Sequence, residues 1–245
     1  SLEALTTLAA AAPPMFLGRR KGGFTSHIIE NRYFFNHQFV KEDSNVNIIY
    51  LSGEQTGSVA FIVGEMQPPV YYAAQLKADL YSLEHRFYGG SHPTEDTSVE
   101  NLKYLSSRQA IEDIAEFIRH INAQKGGDQK WIVVGGSYAG ALSAWSRLKH
   151  PELISGSIAS SGPVLAQLDF YGYLQTVDKD FKKIGGLCYD QMNINFTDSL
   201  NEMNGIEYEG DIGLRLWFYQ TCAEFGYFQS SNRGSNVFGQ TQSSK

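Results

Sequence analysis

Apolar residues recur with two different periods along this chain, and the switches between them mark its elements. Val46-Asn47-Ile48-Ile49-Tyr50-Leu51 is a mostly apolar run closed by Ser52-Gly53, which predicts a strand followed by a polar turn over Gly53 to Gly57. Asp79 to Glu84 alternates enough to predict a second strand, ending at His85-Arg86-Phe87-Tyr88-Gly89-Gly90. Trp131-Ile132-Val133-Val134 predicts a third, and the stretch Ile154 to Pro163 a fourth. Helical patterns lie between them. Pro69 to Lys77 can start a helix with proline in its first turn. Ile111, Ile114, Ala115, Ile118 and Ile121 (or Asn122) fall on one helical stripe, with Ser106 or Ser107 to cap it and Gly126-Gly127 to stop it. Tyr33-Phe34-Phe35 and Phe39-Val40 read as edge strands, and Ser91 to Leu105 as mostly loop.

Strand and helix alternating in this order predict an α/β fold, a largely parallel sheet with crossover helices. No internal repeat is visible. After Pro163 the pattern changes, with a soft boundary near residue 165. Asp169 to Phe181 can be helical, and Leu214 to Tyr219 is a short aromatic-rich segment. Residues 1–24 read as an N-terminal arm and residues 229–245, rich in Ser, Asn, Gln and Gly, as a flexible tail.

Composition narrows the function classes. With 245 residues, 42% hydrophobic and 19% charged, the chain can bury an ordinary core. A formal net charge of −6 argues against a nucleic-acid partner. No apolar run is long enough to cross a bilayer. Leu8 to Ala12 is small and apolar, but Glu3 and the missing basic start spoil a signal-peptide pattern, so the chain is expected to begin inside a longer product. The histidines show no metal-ligand spacing, and no cofactor or metal is expected. Two cysteines, Cys188 and Cys222, are too few for a disulfide scaffold but could form one bridge in a secreted protein. Asn195-Phe196-Thr197 is a possible glycosylation site.

The stretch Lys130 to Gly140 carries the chemistry. A Val-rich strand runs into Gly135-Gly136-Ser137-Tyr138-Ala139-Gly140, and a helical segment follows. This is the context of a nucleophile elbow, the α/β-hydrolase turn that lifts a serine hydroxyl clear of the sheet. Ser137 is the expected nucleophile. The Tyr138 backbone N–H is an expected oxyanion donor, and a second is expected from Gly53 or Glu54 after the 46–51 strand. The turn needs small neighbours on both sides of the serine. Gly135 and Ala139 fill those places, alanine standing where the general motif has glycine.

Several blocks together resemble one family. Gly135 to Trp145, Leu83-Glu84-His85-Arg86-Phe87-Tyr88-Gly89, Lys149-His150-Pro151-Glu152, Ala159 to Val164 and Trp217 to Gly226 are similar to the prolyl carboxypeptidase, dipeptidyl peptidase II and thymus-specific serine protease family of serine peptidases. The resemblance spans about residues 28–238, thinly between 165 and 210. It implies secreted or lysosomal exopeptidases acting on peptides beside proline or a small residue, through an acyl-enzyme on Ser137. It implies an α/β-hydrolase domain over residues 25–165 and, over 166–228, a reduced remnant of the family's helical cap. Cys222 is implied to be bridged, in this chain to Cys188. Glu84, Arg86 and Tyr88 are expected near the site, as an active-site rim or as a buried brace.

The expected order in this fold is serine, then Asp or Glu, then His. His150 is the one histidine after Ser137. Thirteen residues along one helix would put it roughly 20 Å away, so it is expected only to suit the helix C-terminus. His85 follows a strand end that should face the elbow, but the family does not use it as base. The family's last strands, with its Asp and His, are therefore expected to be missing, leaving a partial α/β-hydrolase inactive by itself. An exposed sheet edge would favour homodimers or aggregation. The alternatives are a non-catalytic relative that binds peptides or a partner protein, and an esterase or lipase sharing only the elbow.

Overall fold

The structure is a computed structural model and describes residues 15–16, 30–41, 44–165, 167, 169–184, 204–208 and 212–225. Its strands are β1 (Met15–Phe16), β2 (Glu30–Asn31), β3 (Tyr33–Asn36), β4 (Val46–Leu51), β5 (Asp79–Leu83), β6 (Lys130–Gly136) and β7 (Gly156–Ser160). The helices are α1 (Ala60–Val63), α2 (Pro68–Leu76), α3 (Val99–Leu102), α4 (Ser107–Lys125), α5 (Tyr138–Lys149), α6 (Tyr171–Ile184) and α7 (Gly213–Gln220), the last running into a π turn over Thr221–Phe225. The arm 1–24 is described only at Met15–Phe16, and the tail 229–245 lies outside the described residues.

The chain divides into two units, one of residues 1–164 with 206–208 and one of 165–205 with 209–245. The first contains a five-stranded sheet in the order β3-β5-β4-β6-β7. β3 runs antiparallel to β5, and the other neighbours are parallel. The parallel strands are joined over helices, and β6 meets α5 at a nucleophile elbow, so the unit is a partial α/β-hydrolase sheet. Strand parity sorts its two faces. Ile48, Leu80 and Val134 point to one side, where Ile62, Val70 and Ala73 of α1 and α2 cover them. On the other side the Tyr81 ring lies 5.6 Å from Trp131, and Phe117 of α4 packs edge-on against both.

β5 carries no polar face. All five of its residues are buried, since β3 and β4 flank it and helices cover both sides. The α4 stripe meets the sheet as its period predicts, with Ile111, Ile114, Ala115, Ile118 and Ile121 all buried. Ser106 caps that helix by accepting from the Gln109 N–H, and Gly126 ends it at φ 69°. Phe39-Val40 is a turn and not a strand. The Asn36 side chain donates to the Ile62 carbonyl and accepts from the Gln38 N–H, and Val40 N–H bonds back to the His37 carbonyl, which folds the chain over directly after β3.

Residues 206–208 return to the first unit. Thr97 donates both its N–H and its hydroxyl to the Ile206 carbonyl, and the Tyr208 ring stacks on His92 at 3.6 Å. In the second unit α6 is the helix expected over Asp169 to Phe181. The Trp217 ring there lies 5.9 Å from Phe225. No helix among the described residues is long and apolar enough to cross a membrane.

Candidate active site

β6 runs into its turn through Gly135, and α5 carries Gly140 in its first turn, because the elbow leaves no room at either place. A Cβ at Gly135 would lie 2.1 Å from the Ala139 carbonyl oxygen, and one at Gly140 would lie 2.6 Å from the Ser160 carbonyl oxygen. Both distances are inside van der Waals contact, so the strand and α5 can approach this closely only without those side chains. At Gly136, by contrast, a Cβ would meet open space. The constraint falls on Ser137, which sits at φ 56° and ψ −129°. A residue with a side chain enters that region only where its surroundings hold it there, at about 1–3 kcal/mol. The Ser137 N–H donates to the Ser160 carbonyl at 3.0 Å, tying the turn to β7, and the Ser137 carbonyl accepts from Ala141 N–H. The serine itself is exposed at the head of α5.

The loop after β4 packs on the first turn of that helix. Gly53, at φ 62°, would place a Cβ 3.0 Å from the Ala139 Cβ. The alanine that replaces the motif's second glycine therefore fits because its neighbour across the gap has no side chain. The same contact brings Gly53 beside the helix N-terminus, whose Tyr138 N–H belongs to the turn with no intrahelical acceptors. Glu54 is half-buried, and burial pushes its carboxyl pKa up against a smaller pull down from its own backbone.

Of the two placements expected for Glu84, Arg86 and Tyr88, a rim or a buried brace, the structure has the brace, with all three buried. Their polar groups are consumed inside the protein. Glu84 Oε1 accepts from Arg32 Nη2 at 2.5 Å and Gly57 N–H at 2.8 Å, and Oε2 accepts from Gly90 N–H at 2.9 Å and the Ser91 hydroxyl at 2.7 Å. Gly89, at φ 64°, is the residue around which this closes, since a Cβ there would lie 2.1 Å from Glu84 Oε1. Arg86 forms a two-pronged bond to Asp113 at 2.7 and 2.5 Å, and its remaining amino group donates to the Tyr104 carbonyl and Gln109 Oε1. The block is a brace joining β5, the 53–57 loop and α4.

His85 belongs to the same brace. Its Nδ1 lies 2.7 Å from the Arg86 carbonyl and its Nε2 lies 3.0 Å from the Tyr138 hydroxyl. A carbonyl only accepts, so Nδ1 carries the proton and Nε2 accepts from the tyrosine. Burial lowers its pKa to about 4, with the Arg86 charge adding to that and the Arg86 carbonyl and Asp113 opposing it. Both ring nitrogens are engaged away from Ser137. His150 caps the far end of α5 between Glu112 and Glu152. Among the described residues Ser137 Oγ has no hydrogen-bond partner, and no group of three or more His, Cys, Asp or Glu side chains could hold a metal. Cys222 is exposed on the π turn, while Cys188 and Asn195 lie outside the described residues.

Comparison with known proteins agrees on ancestry. The model of the serine carboxypeptidase S28 family matches residues 25–205 and 197–245. A putative serine protease of Caenorhabditis elegans is 43% identical over 161 residues, 65% of this chain and 31% of that protein. The thymus-specific serine protease of Homo sapiens is 40% identical over 177 residues, 68% of this chain and 33% of its own length. The lysosomal Pro-X carboxypeptidase of Homo sapiens is 31% identical over 188 residues, 74% of this chain and 37% of its own length. The chain spans about a third of the length of these curated relatives.

Proposed function

Because this chain belongs to the serine carboxypeptidase S28 family, we propose that it carries the nucleophile half of a serine peptidase site, with Ser137 attacking the scissile carbonyl of a peptide. The observation that carries this reading is Ser137 held at φ 56° on the apex between β6 and α5 with its hydroxyl exposed. In the attack a bond forms from Ser137 Oγ to the carbonyl carbon, and the hydroxyl proton passes to a base. The carbonyl oxygen becomes an oxyanion facing the Tyr138 N–H and an N–H of Gly53 or Glu54. Collapse expels the amine, which takes up the proton, and water then hydrolyses the acyl-enzyme. One oxyanion donor is worth on the order of 10²–10³ in rate.

The substrate class we propose is a peptide cut beside proline or a small residue, supported by the Pro-X carboxypeptidase among the relatives. The setting we propose is lysosomal or secreted, the lysosomal one supported by that same relative. The peptidase reading is tested on the protein expressed from its full reading frame. A fluorophosphonate probe should label it, Ser137→Ala should abolish the labelling, and a proline-containing peptide should be cut. Labelling that persists in Ser137→Ala would overturn the assignment. For residues 1–245 alone we expect no turnover, because His85 and His150 are both committed elsewhere. That commitment favours one second reading, a relative that binds peptides without cutting them. Peptide binding with an unreactive Ser137 in the full product would select it.

A further inference from the structure

The strained turn at Ser137 has to be held from below as well as from its flanks. The flanks are visible in the Ser160 carbonyl and the close approach of Gly135 and Gly140. From below, the one residue of the elbow that reaches down is Tyr138. Its side chain is fully buried, its ring centroid lies 5.6 Å from that of His85, and its hydroxyl ends on His85 Nε2. His85 leaves the end of β5, two strands from β6, so this single hydrogen bond spans 53 residues of sequence and crosses β4. Its direction is fixed, because the Arg86 carbonyl holds the proton on Nδ1 and leaves Nε2 as an acceptor. Arg86 is itself locked to Asp113 and Gln109 of α4, and the Tyr88 ring stands edge-on to the imidazole at 5.2 Å.

We propose that His85 is a positioning residue for the oxyanion site: by anchoring the Tyr138 hydroxyl it fixes the first residue of α5 and so the direction of its backbone N–H. The inference rests on the reading of Ser137 as nucleophile and Tyr138 N–H as oxyanion donor. It gives the buried His85 a task the acid–base chemistry does not. A tyrosine has two side-chain torsions, so pinning both its ring and its hydroxyl leaves the Cα little freedom to rotate the amide. The groups facing the imidazole are Arg86, Tyr88 and Tyr138, with Asp113 behind Arg86. Burial keeps the ring a neutral acceptor well into the acidic range.

The test uses the full chain with Tyr138→Phe, His85→Leu, His85→Gln and Ser137→Ala, and two readouts. The first is amide hydrogen exchange at Ser137 and Ala141, whose N–H groups hold the elbow, against Ile49 in the core of β4 as a monitor of global opening. The second is the rate of Ser137 labelling by a fluorophosphonate. We expect Tyr138→Phe to speed exchange at Ser137 and Ala141 about tenfold with Ile49 unchanged, and to slow labelling by a similar factor. His85→Leu should do the same, the double variant should be no worse than either single one, and His85→Gln, which keeps an acceptor, should recover part of the loss. Exchange that rises equally at all three amides in both Tyr138→Phe and His85→Leu would overturn the proposal, as would no change at the elbow. Absence of Ser137-dependent labelling in the unmodified protein would sink the nucleophile assignment instead, and the exchange data would still decide the anchoring.

Discussion

The sharpest consequence of burying His85 is a pH dependence of stability that one substitution should remove. The imidazole has an ordinary pKa of 6.5, and burial lowers it to about 4 in the folded protein. The unfolded chain therefore takes up a proton near pH 6.5 that the folded chain refuses until about pH 4. Folding stability from this residue is fully present above pH 6.5. It falls as pH drops through the window, and it is flat below about pH 4. A shift of this size at about 1.4 kcal/mol per pH unit amounts to about 3 kcal/mol across the window. His85→Gln cannot titrate there. The stability difference between wild type and variant should thus change by about 3 kcal/mol between pH 7 and pH 4, in favour of the variant at low pH. Urea unfolding followed by tryptophan fluorescence at several pH values measures it, with the fully buried Trp131 as reporter. Glu54 and Asp79 also titrate at the acid end, but they are common to both proteins and cancel in the difference. Two curves that stay parallel within about 1 kcal/mol from pH 7 to pH 4 would refute the buried neutral histidine.

The remaining expectations follow from the same structure. Asp113→Ala should destabilise the fold by about 3–5 kcal/mol, because the buried Arg86 guanidinium loses its two-pronged partner, and the pair Arg86→Met with Asp113→Leu should recover much of that in denaturant titrations. Gly135→Ala, whose methyl would start 2.1 Å from the Ala139 carbonyl oxygen, should cost about 1–3 kcal/mol by overpacking and abolish labelling of Ser137, while Gly136→Ala should fold normally. Burial pushes the Asp79 carboxyl up, but its bonds to His37 and Lys125 outweigh that and hold it below the usual carboxylate range, so its stabilisation is present above about pH 4 and lost on further acidification. Lys125→Met should raise the Asp79 pKa in a carboxyl NMR titration, and an unmoved titration would contradict the pairing. The outer side of β7 has no strand neighbour among the described residues, so association between copies should grow with protein concentration in light scattering, and a monomer at all concentrations would count against it.

The parts of this fold that were legible in the sequence are those governed by short-range rules. The β4 run, the α4 stripe with its Ser106 cap, and the small residues around Ser137 each satisfy a constraint that their own neighbours impose. Features set by partners distant in sequence were not legible. Nothing in the local pattern of Asp79 to Leu83 distinguishes a strand buried on both faces from one with a polar face, because that depends on β3 and β4 on either side. Phe39-Val40 has a strand's composition, and the Asn36 amide reaching Ile62, with the turn bonds at Gln38 and Val40, turns the chain away. The charged residues of the Glu84 to Tyr88 block left rim and buried brace undecided for a related reason. Charge usually marks surface, but each of these charges meets partners from two or three other segments, and those partners are what permit burial. One local signal does favour the brace: Gly89 stands where a positive φ and the close approach of Glu84 both require it.

The placement of that brace bears on how the site is assembled. The close-packed Gly135 and Gly140, the Ser160 carbonyl and the Tyr138–His85–Arg86–Asp113 line all lie between residues 85 and 160, and Gly53 joins them from the loop after β4. No described histidine takes part as a base. On the proposed reading, the oxyanion donors, Tyr138 N–H with an N–H of Gly53 or Glu54, are thus geometrically independent of whatever removes the serine proton. In hydrolases of this chemistry, loss of the acid–base partners still leaves about 10³–10⁴ of rate enhancement from oxyanion stabilisation and binding. A polypeptide with this arrangement and no base would therefore keep the shape that recognises a tetrahedral carbonyl adduct. It should bind a peptide boronic acid or aldehyde at the Ser137 apex more tightly than the corresponding amide, and Tyr138→Phe should weaken that preference even where no turnover can be measured. Equal affinity for the adduct-forming ligand and the amide would show that the elbow is a remnant of shape without the preorganised N–H groups that give the shape its purpose.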